Sequence, residues 1–338
     1  MSQKLAASPV VWTLARDLQL TPGDDALAAI LSHVRKKVRG FLKDIPCATL
    51  TDLLALVAAK VDTRFIEVHT DQDVLNVRDR YVAAGEMAFA DLEAQLNPEV
   101  YAVTFRLQKP TVGARLFVSI IDCRGTKRAR AYFSKWHEIA HLITLTSQQR
   151  LKFLRSHTAE DAKDPEESVM DVIAGELGFF RELVGAHIRA PLTFEQVTAL
   201  RSEFCPEASM QASIFGFVKA SDRACIYVEA AMALKKREAE SLAQEAFDFH
   251  AAPAATLRAV HVLPNDAARV TGVLIPRNMR IPSASVIAKV LDEGLVSLEA
   301  NEDLASWESS NGKRLGARAV RVCARRAGYA VQALITTL

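Results

Sequence analysis

WHEIAHLIT, residues 136–144, holds two histidines four apart, with a glutamate directly after the first. Residues four apart share one face of an α-helix, so a helical reading turns His137 and His141 toward a single point. Neutral imidazole is a good zinc ligand, and HExxH offers two such ligands from one turn. Glu138 lies one residue further round. From there its carboxylate can reach a water on the ion, which suits a general base in carbonyl hydrolysis. The competing reading is a helix with two partly exposed histidines and Glu138 as a surface charge. The neighbours Trp136, Ile139, Ala140 and Leu142 argue against it. They bury the polar trio, and buried imidazoles and carboxylates need partners that a metal supplies.

A peptidase zinc site takes a third protein ligand and keeps the fourth position open for water. After His141 the chain runs LITLTSQQ, with no third histidine at the HExxHxxGxxH spacing and no cysteine. The third ligand is therefore expected from a later element. PEESVMDVIAGEL, residues 165–177, reads as a helix with Pro165 in its first turn, where a missing N–H costs nothing. Glu167 opens a face that continues through Asp171 to Ala174 and Leu177. Glu167 is the expected ligand, with Glu166 as the alternative, and Asp171 is the expected partner for the second nitrogen of a ligand histidine.

FSKWHEIAH (residues 133–141) and ESVMDVIA (167–174) together resemble the ImmA/IrrE metallopeptidases. That family carries a helix of the form (F)(S/T)xxHExxH and a later one of the form ExxA(N/D)xFA. Met170 and Ile173 depart from the second pattern, while Asp171 and Ala174 keep its register. The strand LFVSIID before the first helix also fits the family's layout. The resemblance covers roughly residues 45–185. It implies a gluzincin-like zinc endopeptidase that cleaves a regulatory protein, such as a DNA-binding transcriptional repressor, in stress or mobile-element control. By analogy with the sensor domain of such proteins, the C-terminal part would take a small-molecule or nucleic-acid signal.

The 338 residues, half hydrophobic and with a net charge of +2, are enough for more than one core and are neither disordered nor strongly basic. Cys47, Cys123, Cys205, Cys225 and Cys323 are scattered, without a CxxC pair, which fits a reducing cytosol. Neither a secretory signal nor a membrane span is apparent, so a cytoplasmic protein is expected.

Along the chain, residues 24–42 and 50–61 read as helices, the first started by Asp24 and Asp25 and the second capped by Thr51 or Thr49. RFIEVH, YAVTFRL and ARLFVSIID read as strands and residues 73–96 as helical. A strand-rich edge directly before the HExxH helix would form one wall of a cleft. Residues 147–164 read as a polar connection, 192–245 as further helices, and AAPAA around Pro253 as a linker. LRAVHVL, GVLIP and residues 318–338 suggest strands.

The expected fold is thus α+β: a mostly helical zincin-like core with a small sheet, then helices, then a separate α+β domain. The expected divisions are 1–45 N-terminal helices, 46–190 metallopeptidase, 191–250 helical segment and 251–338 C-terminal domain. Tyr132, His157 and His187 are candidates for stabilising an oxyanion, none of them favoured. Arg314, Arg318, Arg321, Arg325 and Arg326 make the C-terminal region basic. The alternative function is therefore a regulatory protein with a structural or latent zinc site that touches nucleic acid there.

Overall fold

The computed structural model describes residues 5, 7–108, 110, 113–145, 152–156, 164–234, 254–309 and 312–338, with the backbone alone for 152–156. The protein is mixed α+β, and its chain divides into two compact units. The first is Met1–Leu183 with Arg201–Ala212, and the second is Val184–Leu200 with Ser213–Leu338.

The first unit opens with helices α1 (Pro9–Asp17), α2 (Ala26–Asp44) and α3 (Leu50–Lys60). Asp25 caps α2 by accepting from the Ala28 N–H, and Leu27, Ile30, Val34 and Val38 are its buried stripe. Of the two threonines considered for α3, Thr49 is the cap. It exchanges hydrogen bonds reciprocally with Asp52, so two otherwise unpaired donors are satisfied.

Next come β1 (Thr63–Val68), α4 (Asp71–Ala83), β2 (Val100–Arg106), β3 (Phe117–Asp122), α5 (Ala131–Ile143), β4 (Lys152–Ser156) and α6 (Pro165–Gly178). The strands form one sheet in the order β1-β3-β2-β4. β1 runs parallel to β3, and β2 is antiparallel to both β3 and β4. Side chains alternate between the faces. One face carries Val68, Val103, Phe105, Val118 and Ile120 into a core with Val74 and Tyr81 of α4. The other carries Ala102 and Ile121, with Ala131 of α5 packed against them.

Two expectations for this unit need correction. The helix expected over 73–96 stops at α4, because Gly85 takes a φ of 85°, a left-handed conformation cheap only for glycine. A short 3-10 helix, Met87–Phe89, and a short α-helix, Leu92–Gln95, follow. The connection expected over 147–164 contains β4, whose short polar sequence hides its pairing with β2.

The second unit is built on an antiparallel sheet in the order β6-β5-β9-β8-β7. Its strands are β5 (Cys225–Ala233), β6 (Thr256–Pro264), β7 (Ser297–Asp303), β8 (Ala319–Ala327) and β9 (Ala330–Thr337). Ile226, Val228, Val322, Ala333, Ile335 and Trp307 lie in its core. The segment expected to be helical over 191–250 is so in Phe194–Phe204 and Met210–Ala220, and then turns into β5. Because β5 hydrogen-bonds to both β6 and β9, a domain boundary at 251 would separate paired strands.

GVLIP is not a strand. Gly272 takes a φ of 70°, and Val273 and Ile275 enter the core from irregular backbone. Pro253 of the expected linker lies outside the described residues. Among the described residues, no helix is long and apolar enough to cross a membrane, and none of the five cysteines forms a disulfide.

Candidate metal centre

α5 is buried along nearly its whole length, and its faces have separate work. The stripe Ala131, Lys135, Glu138 and Leu142 meets the sheet. Ala131 packs near Ile121, Lys135 pairs with Glu67, Glu138 bonds Thr104, and Leu142 lies against Phe117. A second face meets α6 closely: the Tyr132 hydroxyl donates to the Gly178 carbonyl at 2.6 Å. A Cβ at Gly178 would stand 3.1 Å from the Trp136 ring, tighter than ordinary contact, so glycine lets these two helices approach.

His137 and His141 occupy the remaining face, 0% and 4% exposed. Their Nε2 atoms are 3.1 Å apart. Glu167 Oε2 lies 3.1 Å from His137 Nε2, and its Oε1 lies 3.3 Å from His141 Nε2. These three residues form a buried group able to bind a metal ion. A tetrahedral ion with bonds of about 2.0–2.1 Å holds its ligand atoms roughly 3.3 Å apart, so the spacing already matches.

Burial alone would raise the Glu167 pKa. Hydrogen bonds and charge from His137 and His141 outweigh it and hold the carboxyl well below the usual carboxylate range. His137 Nδ1 is 2.9 Å from Asp171 Oδ1. With a metal in place of the Nε2 proton, Nδ1–H would donate to that carboxylate and the neutral ring would turn its Nε2 lone pair into the group.

Local sequence explains how α6 delivers these groups. Asp164 caps it through the Glu166 N–H, Pro165 sits in the first turn, and Glu167 and Asp171 then fall one turn apart. Glu167, and not the alternative Glu166, stands with the two histidines. Met170 and Ile173, the departures from the family pattern, are fully buried, and Met170 Sδ lies 3.6 Å from the Thr144 hydroxyl. Both side chains serve the packing of α6 and leave the donor set alone.

Glu138 is 1% exposed, and its Oε2 accepts from the Thr104 hydroxyl at 2.7 Å. Thr104 is the site neighbour that sequence reasoning missed. The signal was there in YAVTFRL: a hydroxyl inside a strand that is otherwise apolar on both sides. Of the oxyanion candidates, Tyr132 is committed to Gly178, His187 belongs to the second unit, and His157 lies outside the described residues.

A second donor group sits where β1 and β3 end. Cys123 continues the ladder by donating its N–H to the Val68 carbonyl, which brings Glu67, His69 and Cys123 together. Here Lys135 intervenes, its Nζ 2.7 Å from Glu67 Oε1 and 2.6 Å from Glu207 Oε2. Burial would lower the lysine pKa, but the two carboxylates outweigh it and raise it. Burial also opposes ionisation of Glu67, and Lys135 overrides it, leaving that carboxyl lowered. Burial and the Glu67 charge push the Cys123 thiol up to about 11.

In the second unit two of the five C-terminal arginines are engaged within the sheet. Arg321 reaches Glu299 and Asn301, and Arg325 donates twice to Gln332.

The sequence matches no protein-family model, and no curated protein matches it in sequence.

Proposed function

We propose that the first unit is the zincin-like catalytic core of a zinc-dependent endopeptidase of narrow specificity. His137, His141 and Glu167 hold the metal, and Glu138 is the general base. The observation that carries this reading is the convergence of two imidazole nitrogens and one carboxylate at 3.1–3.3 Å, the donor set and spacing of a hydrolytic zinc site. Bound zinc would serve as a Lewis acid toward the scissile carbonyl and the attacking water. Glu138 takes the proton of that water and passes it to the leaving amine. Asp171 fixes the His137 ring, so that its Nε2 stays turned to the ligand position.

The resemblance of FSKWHEIAH and ESVMDVIA to the ImmA/IrrE motifs supports the same reading. It suggests as substrate a regulatory protein in the cytoplasm, such as a DNA-binding repressor. The second unit is then the part free to recognise that protein or a signal, since remote binding energy is what orients a chosen bond at the metal.

The test compares wild type with Glu138→Gln after incubation with lysate of the source cell, reading new protein termini. A handful of cuts that fall by roughly 10²-fold or more in the variant, with metal retained, is the expected result. Metal retention with no Glu138-dependent cut would leave the site a structural role. Rapid digestion of casein would remove the narrow specificity.

A further inference from the structure

On the sheet face that meets α5, three hydroxyls lie side by side on three strands. Thr63 of β1, Ser119 of β3 and Thr104 of β2 are 3%, 0% and 1% exposed. Thr63 Oγ1 is 3.2 Å from Ser119 Oγ, and Ser119 Oγ is 2.6 Å from Thr104 Oγ1, which donates to Glu138. Valine or alanine would fill these positions with less desolvation, so three adjacent buried hydroxyls need an acceptor to justify them. The Glu138 carboxylate is that acceptor.

Proton counting fixes the direction. An ionised carboxylate only accepts, and each hydroxyl has one proton to give. The proton of Thr104 goes to Glu138, so Ser119 donates to Thr104 and Thr63 donates to Ser119. The row runs one way, β1 to β3 to β2 to α5, and each link polarises the next.

We infer that Thr104 is a positioning residue for Glu138, itself oriented by Ser119 and Thr63. Glu138 Oε2 is pinned to the sheet, which stops the carboxylate rotating and leaves Oε1 as the oxygen that accepts the proton of water. This role rests on the peptidase reading above, whereas the hydrogen-bonded row does not.

Thr104→Val keeps the shape and removes the donor, and Thr104→Ser keeps the donor. The first measurement needs neither substrate nor metal. The carboxylate stretch of Glu138, located as the infrared difference between wild type and Glu138→Gln, should shift in Thr104→Val and return in Thr104→Ser. An unmoved band in Thr104→Val overturns the inference.

The second measurement uses the Glu138-dependent cut found in lysate, as a synthetic peptide. Thr104→Val should lower kcat about tenfold to a hundredfold with KM and metal content unchanged, and Thr104→Ser should restore it. Ser119→Ala, one link further away, should lower kcat in the same direction by less. It also serves as the test if Thr104→Val fails to fold. A wild type that cuts while Thr104→Val and Ser119→Ala cut at the same kcat sinks this role alone. A wild type with no Glu138-dependent cut sinks the peptidase reading and this role with it.

Discussion

The groups at His137, His141 and Glu167 and at Glu67, His69 and Cys123 look alike as inventories, since each gathers three residues able to ligate a metal. They differ in what already holds the carboxylate. Glu167 faces two imidazoles, whose nitrogens can turn lone pairs to an ion. Glu67 faces an ammonium, Lys135, which can only donate and carries its own positive charge. The neighbouring thiol, pushed up to about 11, must give up a proton before it can ligate, which makes it a poor ligand near neutral pH. Proximity of donor residues is therefore a weak criterion. What matters is whether their lone pairs are available together.

The largest effect should come from breaking the first group. His141→Ala or Glu167→Ala should take the protein from about one bound metal per chain to background, read by elemental analysis after purification without added zinc. Equal metal in wild type and variants would erase the distinction between the two groups.

Smaller, and sharper, is Asp171→Asn. It leaves all three ligands in place but loosens the His137 ring, so zinc affinity measured against a competing chelator should fall about 10–100-fold. An unchanged affinity would mean that α6 contributes only Glu167.

For the second group the expected effect is on stability. Lys135→Met should cost about 1–2 kcal/mol in denaturant unfolding, moderated because Glu67 and Glu207 are partly exposed. The pH window follows from the directions of the shifts. Glu67 is lowered by folding, so its contribution is full above the unfolded value of ~4.3 and fades as pH falls through the folded one. Lys135 is raised, so its contribution is full below ~10.4 and fades as pH rises through its folded value. The gap between variant and wild type should be flat between these limits and close outside them.

The smallest expected effect is none. Glu67→Gln, His69→Ala and Cys123→Ala should each leave metal stoichiometry unchanged at pH 7.

How much of this was legible depended on the distance over which a residue's partner is chosen. The spacing of His137 and His141, the opening of α6 at Pro165 and a threonine cap at Thr49 or Thr51 are decided within one helical turn, and all could be read locally. Glu167 could be read because it sits a turn before Asp171 on an otherwise apolar face. β5 could not. Its alanines and methionine suit a helix, and only pairing with β6 and β9 makes CIYVEAAMA a strand. β4 is hidden for the same reason. The row from Thr63 to Glu138 is the extreme case. It exists only once β1, β3 and β2 are in register and α5 has docked on them, and no local pattern encodes that.

Gly178 carries a last consequence. It touches Trp136 at the C-terminal end of α6, while Glu167 sits at the other end, about 16 Å away along the helix axis. A helix of this length behaves as a stiff rod, so the contact at Gly178 is a fulcrum. A side chain there meets the Trp136 ring at 3.1 Å, so either that ring or α6 must give by a few tenths of an ångström. If α6 is what gives, a single methyl group at a position that never meets the metal should change the spacing of the donor atoms, read as a changed metal affinity in Gly178→Ala.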